Sequence, residues 1–139
     1  MTAHFSLDEL IHSSKADELG IKNLPNDEAK KNLLKLAEKL EEVRSLFGHP
    51  LVITSGYRCL EVNRAVGSKD NSQHCLGQAA DFHIDGYSID EIIQKIIDSG
   101  IEFDQLIHEF DSWVHLSISD HPRKNVLIID KKGARQWKQ

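Results

Sequence analysis

The residues best suited to chemistry lie in the segment SQHCLGQAADFHID, positions 72–85. His74 and Asp81 stand seven positions apart in it, on either side of a short Gly-Gln-Ala-Ala stretch. Because an imidazole and a carboxylate can approach one metal ion from the two sides of a turn, this spacing allows a metal site. The alternative is an ordinary loop and strand that carry two polar side chains.

A third candidate ligand is His115, in the stretch WVHLS at 113–117. Strand alternation puts Trp113 and His115 on the same face, where a histidine can point into a cleft. His74, Asp81 and His115 would give two histidines and one carboxylate, a set that leaves a fourth zinc position open for water and substrate. The chain has eight histidines, so spacing alone also allows an accidental triple.

The hydrophobic pattern predicts the helices that would position these residues. Apolar residues at three- and four-residue steps over 27–47 predict a long amphipathic helix. Capping boxes at 6–9 and 88–91 predict two further helix starts, the first helix ending near Ser14. A short helical segment is predicted at 60–66.

Runs of β-branched and aromatic residues predict the strands, at 51–54, 79–84, 103–110, 113–119 and 125–130. Asp111 and Ser112 are short enough to form a tight hairpin connection between two of these strands. Helices at the front of the chain with antiparallel strands behind them predict an α+β domain.

The composition limits the classes of partner. The 139 residues fit a single domain, 1–139, with a core over about 5–130 and a surface tail at 131–139. The net charge is −5 and no basic stripe occurs, which argues against nucleic acid and anionic membranes as partners. The start, MTAHFSLDEL, has no export-signal pattern, so we expect a protein made in the cytoplasm without a signal peptide. We also expect a monomer.

Three ordered motifs carry a family resemblance. They are SGYR at 55–58, SxHxxGxAxD at 72–81 and WVH at 113–115. Together they resemble the zinc D-alanyl-D-alanine carboxypeptidase family (peptidase M15-like), to which phage endolysin L-alanyl-D-glutamate peptidases belong. The resemblance covers roughly 5–119 and implies a Hedgehog/DD-peptidase-like fold, with a small antiparallel sheet and helices packed on one side.

The resemblance also implies roles for particular residues. It makes His74, Asp81 and His115 the ligands of one zinc ion, and it places Arg58 near the site to orient substrate or polarise its carbonyl. This combination suits an amide hydrolase, because zinc lowers the pKa of bound water and an arginine can bind a developing oxyanion or a terminal carboxylate.

The carboxylate base is less well specified. Several members of the family have a glutamate three positions before the second ligand histidine, but this chain has Ser112 there. Glu109, six positions before His115, resembles the arrangement of Hedgehog-type zinc domains, and a hairpin would bring it across from His115. Asp111 is the alternative base, although a turn aspartate more often bonds its own backbone.

Ser72, Gln73 and Trp113 are the candidate substrate-binding residues. The Ser72 hydroxyl and the Gln73 amide can donate to a substrate or fix the loop through backbone bonds, and loop fixing is the favoured role for Ser72. Trp113 can line a substrate cleft or cap the core at the sheet edge, and the sequence does not choose between these roles.

The resemblance therefore predicts a zinc peptidase that cuts an amide bond in peptidoglycan stem peptides and acts on the cell wall if it is phage-encoded. Both D-alanyl-D-alanine carboxypeptidase and L-alanyl-D-glutamate endopeptidase activity fit it. The competing hypothesis is a catalytically silent zinc domain of a phage structural protein that binds peptidoglycan or a partner. A carboxylate within one water of the zinc would favour the enzyme.

Overall fold

A computed structural model describes residues 1–138. Within them, helices and strands form the predicted α+β fold around one six-stranded sheet. In chain order the elements are α1 (Leu7–Ile11), α2 (Ser14–Leu19), α3 (Asp27–Phe47), β1 (Val52–Ser55), α4 (Leu60–Ala65), a 3₁₀ turn (Gln73–Leu76), β2 (Ala79–His83), α5 (Ile89–Ser99), β3 (Gln105–Glu109), β4 (Trp113–Ser117), β5 (Asn125–Asp130) and β6 (Gly133–Gln136).

The sheet has the strand order β1-β2-β4-β3-β5-β6. Its neighbouring strands are antiparallel except for β3 and β5, which run parallel. The mainly antiparallel sheet of the prediction is confirmed. β3 and β5 run parallel because the 118–124 segment crosses the N-terminal end of β3, so that β5 starts beside the first residue of β3.

One face of the sheet forms the core with α3 and α5. Fully buried apolar side chains point to this face from the three central strands, and they are Ala80, Phe82, Leu106, Val114 and Leu116. The apolar stripe of α3 packs into the same cluster, as its three- and four-residue spacing predicts. The opposite face of the central strands is therefore free to carry polar side chains.

The front of the chain contains a helix that the sequence pattern did not indicate. The predicted first helix ends at Ile11, and a second short helix, α2, follows it directly. The Ser13 hydroxyl accepts the Ala16 amide at the start of α2, and Gly20 ends this helix in the left-handed conformation. Such a short helix has too few turns to show a hydrophobic period.

The predicted surface tail is mostly exposed, but part of it is a strand and Trp137 is partly buried against the core. Gly133–Gln136 pairs with β5 as an edge strand. A bidentate ion pair between Asp130 and Arg135 supports the hairpin. The GARQ sequence lacks the apolar alternation that marks a half-buried strand, so the pattern gave no signal. Gln139, the last residue of the predicted tail, lies outside the described residues.

Across residues 1–138, the structure has no helix with both the length and the apolar character needed to cross a bilayer.

Candidate metal centre

The polar face of the sheet brings the three predicted ligands together. Asp81 in β2 lies directly opposite His115 in β4, and the 3₁₀ turn before β2 carries His74. His115 Nδ1 is 2.9 Å from Asp81 Oδ1, and His74 Nε2 is 3.4 Å from Asp81 Oδ2. One ligand atom from each residue lies within 4.8 Å of the others, and all three residues are buried. We call His74, Asp81 and His115 the metal centre.

The turn that carries His74 depends on the motif residues around it. The Ser72 hydroxyl accepts the His74 amide at 3.2 Å, and Gly77 ends the turn with a φ of 74°. A Cβ on Gly77 would lie 2.5 Å from the Ala29 carbonyl oxygen of α3. Only glycine therefore allows both this backbone conformation and the close packing of the turn on α3.

A backbone carbonyl fixes the tautomer of His74. Its Nδ1 lies 2.6 Å from the Gly56 carbonyl oxygen, which can only accept, so Nδ1 carries the proton. The Nε2 lone pair is thereby left to face Asp81, as a metal ligand requires. Gly56 packs so closely against α1 that a Cβ there would lie 2.2 Å from the Leu10 carbonyl oxygen, so only glycine fits at this position.

The electrostatics of the metal centre favour the metal-binding protonation states. Burial lowers the pKa of His74 and keeps this imidazole neutral, although the Asp81 charge partly opposes the shift. Burial works against ionisation of Asp81 as well, but His74 and His115 outweigh it and hold the pKa of this carboxyl well below its usual range. A neutral His74 imidazole and an ionised Asp81 carboxylate, with His115 as a third donor, form a set that fits a small dication such as zinc.

Glu109 is the carboxylate that lies next to the metal centre. Its Oε1 is 3.7 Å from His115 Nδ1, and its Oε2 accepts the Trp113 indole N–H at 3.1 Å. Glu109 pairs directly with Trp113 across the hairpin, while His115 pairs with Ile107, so Glu109 reaches His115 diagonally rather than from straight across. Burial raises the pKa of Glu109, and the nearby Asp81 charge raises it further.

Asp111, the alternative base, does not lie at the metal centre. Its carboxylate is largely exposed and contacts His108 Nε2 at 3.2 Å. His108 points to the opposite sheet face from Glu109, because the two are neighbours in β3. The structure thus brings only the first of the two candidate bases to the metal centre.

Arg58, the arginine of the SGYR motif, lies beside the metal centre. Its backbone amide donates to the His74 carbonyl at 3.1 Å, and its guanidinium interacts electrostatically with Asp81 and Glu109. The Arg58 Nε is buried and has no hydrogen-bond partner among residues 1–138. A buried donor without a partner is costly, so this N–H is available to an oxygen that enters the site.

The three candidate substrate-binding residues are placed differently. Ser72 caps the turn through the His74 amide, which is the loop-fixing role. The Gln73 amide donates to Asp104 Oδ2 at 2.9 Å and to the Ile118 carbonyl at 3.2 Å, so its donors hold the protein rather than a substrate. Trp113 is half-buried on the polar face beside Glu109.

Two contributions to the site were missed in the sequence. The Gly56 carbonyl that orients His74 is a backbone group, and only the SGYR motif hinted at its importance. Asp104, which accepts the Gln73 amide, lies just before β3 and had no motif around it. Both contacts join segments distant in sequence, and periodicity does not report such pairs.

A comparison of the chain with known protein families identifies its family. A family model described as Peptidase M15 matches residues 3–117. The chain belongs to the peptidase M15 family. β5 and β6 lie beyond the matched range.

Named relatives share the same part of the chain. Proteins named peptidoglycan L,D-endopeptidase MepK, from Escherichia coli K12, Escherichia coli O157:H7 and Shigella flexneri, are each 29% identical over 109 residues. The alignment covers 73% of this chain and 52% of each relative. The chain thus spans about half the length of the curated relatives it matches.

Proposed function

We propose that this M15 peptidase domain is a zinc-dependent hydrolase of amide bonds in peptidoglycan stem peptides. The observation that carries the proposal is Glu109, a partly buried carboxylate whose Oε1 lies 3.7 Å from His115 Nδ1 of the metal centre. A carboxylate within one water of the metal position favours an enzyme over a silent binding domain. The M15 membership and the name of the MepK relatives support peptidoglycan as the substrate.

His74 Nε2, His115 Nδ1 and an Asp81 oxygen would hold the zinc. When bound, zinc supplies Lewis acidity that lowers the pKa of water and polarises a carbonyl oxygen. The Gly56 carbonyl orients the His74 ring, and the β2–β4 pairing places Asp81 opposite His115.

Glu109 is the general base of the proposed reaction. Its raised pKa makes the carboxylate more basic than an exposed glutamate, and its Oε1 faces the metal centre. It accepts a proton from the attacking water and returns it to the leaving amine. The Trp113 N–H on Oε2 keeps the carboxylate in this orientation.

Arg58 binds the oxygen on which negative charge develops. Its buried, unpaired Nε–H and its position near Asp81 and Glu109 support this role. A positioned cation in a site that excludes water stabilises developing charge more than it would in water.

An internal bond is the favoured target. The MepK relatives are named L,D-endopeptidases, and the bond between L-alanine and D-glutamate in the stem peptide is of L,D configuration. We therefore favour endopeptidase over D-alanyl-D-alanine carboxypeptidase activity.

The test is digestion of purified muropeptides, with the products identified by chromatography and mass spectrometry. The native protein is expected to release fragments cut at an L,D bond. Glu109→Gln should keep its zinc, but its cleavage rate should fall by about a hundredfold or more, because glutamine cannot accept the proton of the attacking water.

Asp111→Asn is the matched control, since it removes a carboxylate two positions away that does not face the metal centre. It should retain near-native activity. Zinc-loaded native protein that cleaves no stem peptide would refute the proposal and favour the binding-domain hypothesis. Equal losses in Glu109→Gln and Asp111→Asn would refute the role of Glu109.

A further inference from the structure

A single buried side chain holds the segment that carries Arg58. Asn23 lies between α2 and α3 and is only 9% exposed. Its Oδ1 accepts the Cys59 amide at 2.7 Å, while its Nδ2 donates to the Tyr57 carbonyl at 2.9 Å and to the Ile11 carbonyl at 2.7 Å. The residues on both sides of Arg58 are therefore bound by one amide group.

The backbone of Arg58 is also held from the other direction. Its own N–H donates to the His74 carbonyl at 3.1 Å, and the His74 ring donates to Gly56 two positions before Arg58. Asn23 and the His74 turn thus fix this segment from two sides. The Arg58 side chain extends from this fixed backbone, and its buried Nε has no partner among the described residues.

We propose that Asn23 is a positioning residue for Arg58, fixing the backbone at 57–59 so that the guanidinium faces the metal centre. The inference rests on the proposed function, because that function gives Arg58 its role. The chemistry at position 23 is restrictive: an aspartate would set a carboxylate oxygen against two carbonyl oxygens, and a glutamine is one carbon too long. An asparagine amide supplies both donors and the acceptor at these distances.

The first arm of the test does not depend on catalysis. The Nε–H of Arg58 is followed by ¹⁵N NMR in the zinc-loaded protein and assigned by its loss in Arg58→Lys. The variant is Asn23→Ser, which is chosen because it keeps a small polar group at this buried position. The Arg58 Nε–H resonance should shift in this variant. Its exchange with solvent should become about tenfold faster or more, because the loosened segment exposes the group.

Asn32→Ala is the matched control for this arm. Asn32 also donates its amide to a backbone carbonyl, that of Leu76 in the His74 turn, but it does not contact the Arg58 segment. In Asn32→Ala the Arg58 Nε–H resonance should stay at its native position. A folded Asn23→Ser protein with an unchanged Arg58 Nε–H resonance and exchange rate would overturn the proposal.

The second arm is a double-mutant cycle on kcat/KM with stem peptide. Asn23→Ser should lower kcat/KM by about tenfold in the native background, and by less than about twofold when Arg58 is already alanine. Equal losses in the two backgrounds would mean that Asn23 acts on the fold in general and would overturn the proposal. If the native protein cleaves no stem peptide, the proposed function fails, while the NMR arm still decides whether Asn23 positions Arg58.

Discussion

Glu109 and Asp111 are two residues apart, yet only Glu109 reaches the metal centre. The difference comes from the turn between β3 and β4, in which Phe110 and Asp111 have φ values of 52° and 55°. Non-glycine residues rarely adopt this left-handed conformation, and no glycine in the sequence marked the turn. The motifs singled out His74, Asp81 and His115, which the structure brings together, and the sequence favoured Glu109 over Asp111. The residue types did not indicate the left-handed turn at Phe110 and Asp111.

Trp113 provides a test of how Glu109 is oriented. Trp113→Phe keeps an aromatic ring but removes the N–H that binds Glu109 Oε2. Because a hydrogen bond to a charged group is lost near the reacting atoms, kcat should fall by about tenfold with little change in KM or zinc content. Steady-state kinetics on the stem peptide measures this.

Trp137→Phe is the control, because its indole N–H also binds a carboxylate, Asp90, away from the metal centre. Its kcat should equal that of the native protein. An unchanged kcat in Trp113→Phe would show that Glu109 needs no such support.

At the scale of elements, the sequence specified the long pieces and missed the short ones. The stripe of α3 and the capping box of α5 gave the correct helices, since their spacing extends over several turns. α2 and β6 were missed because a single serine cap and a polar hairpin, respectively, hold them in place. The His74 turn was recognised by its motif, but its packing against α3 was not.

That packing predicts a specific cost for Gly77→Ala. The new Cβ would meet the Ala29 carbonyl oxygen at 2.5 Å and would force a side chain into a positive φ. We expect a loss of about 2 to 4 kcal/mol in the free energy of unfolding, measured by urea denaturation.

Gly67→Ala separates the two causes, because Gly67 has a φ of 81° but open space around it. Only the backbone strain of about 1 kcal/mol should appear there. Equal losses for the two variants would mean that the contact with α3 contributes nothing.

Across the whole molecule, Asp104 connects parts of the chain that are far apart in sequence. Its carboxylate accepts the backbone and side chain of Arg123 and the amide of Gln73, so the start of β3 is joined to the 118–124 segment and to the His74 turn. Asp104 is buried, while Arg123 is half-exposed. Strand and helix patterns predicted the pieces of this assembly but not the connection, because no local signal pairs these three residues.

This connection predicts a pH dependence of stability. The pKa of Asp104 is lowered from the ordinary 3.8 to about 2. The hydrogen bonds from Arg123 are the main cause, and the hydrogen bond from Gln73 adds to them. A lowered pKa stabilises the fold at pH values above 3.8, and this contribution is lost as the pH falls towards 2. Asp104→Asn should therefore unfold more easily than native protein by about 2 kcal/mol at pH 7, and the gap should narrow below about pH 4.

Urea denaturation of the metal-free proteins at several pH values measures this gap. Asp130→Asn is the control, because Asp130 also pairs with an arginine but at the exposed hairpin. It should cost much less at pH 7. A gap for Asp104→Asn that is the same at pH 7 and pH 2.5 would contradict the assignment.

The central claim is that zinc bound by His74, Asp81 and His115 makes this chain a peptidase. The most direct measurement is a titration of chelator-treated protein with zinc, in which bound zinc and cleavage of stem peptide are followed together in native protein and in His115→Ala. We predict that cleavage returns in step with one zinc per native chain, and that His115→Ala binds zinc far more weakly and stays inactive. Full cleavage by metal-free native protein, or undiminished zinc binding in His115→Ala, would contradict the account.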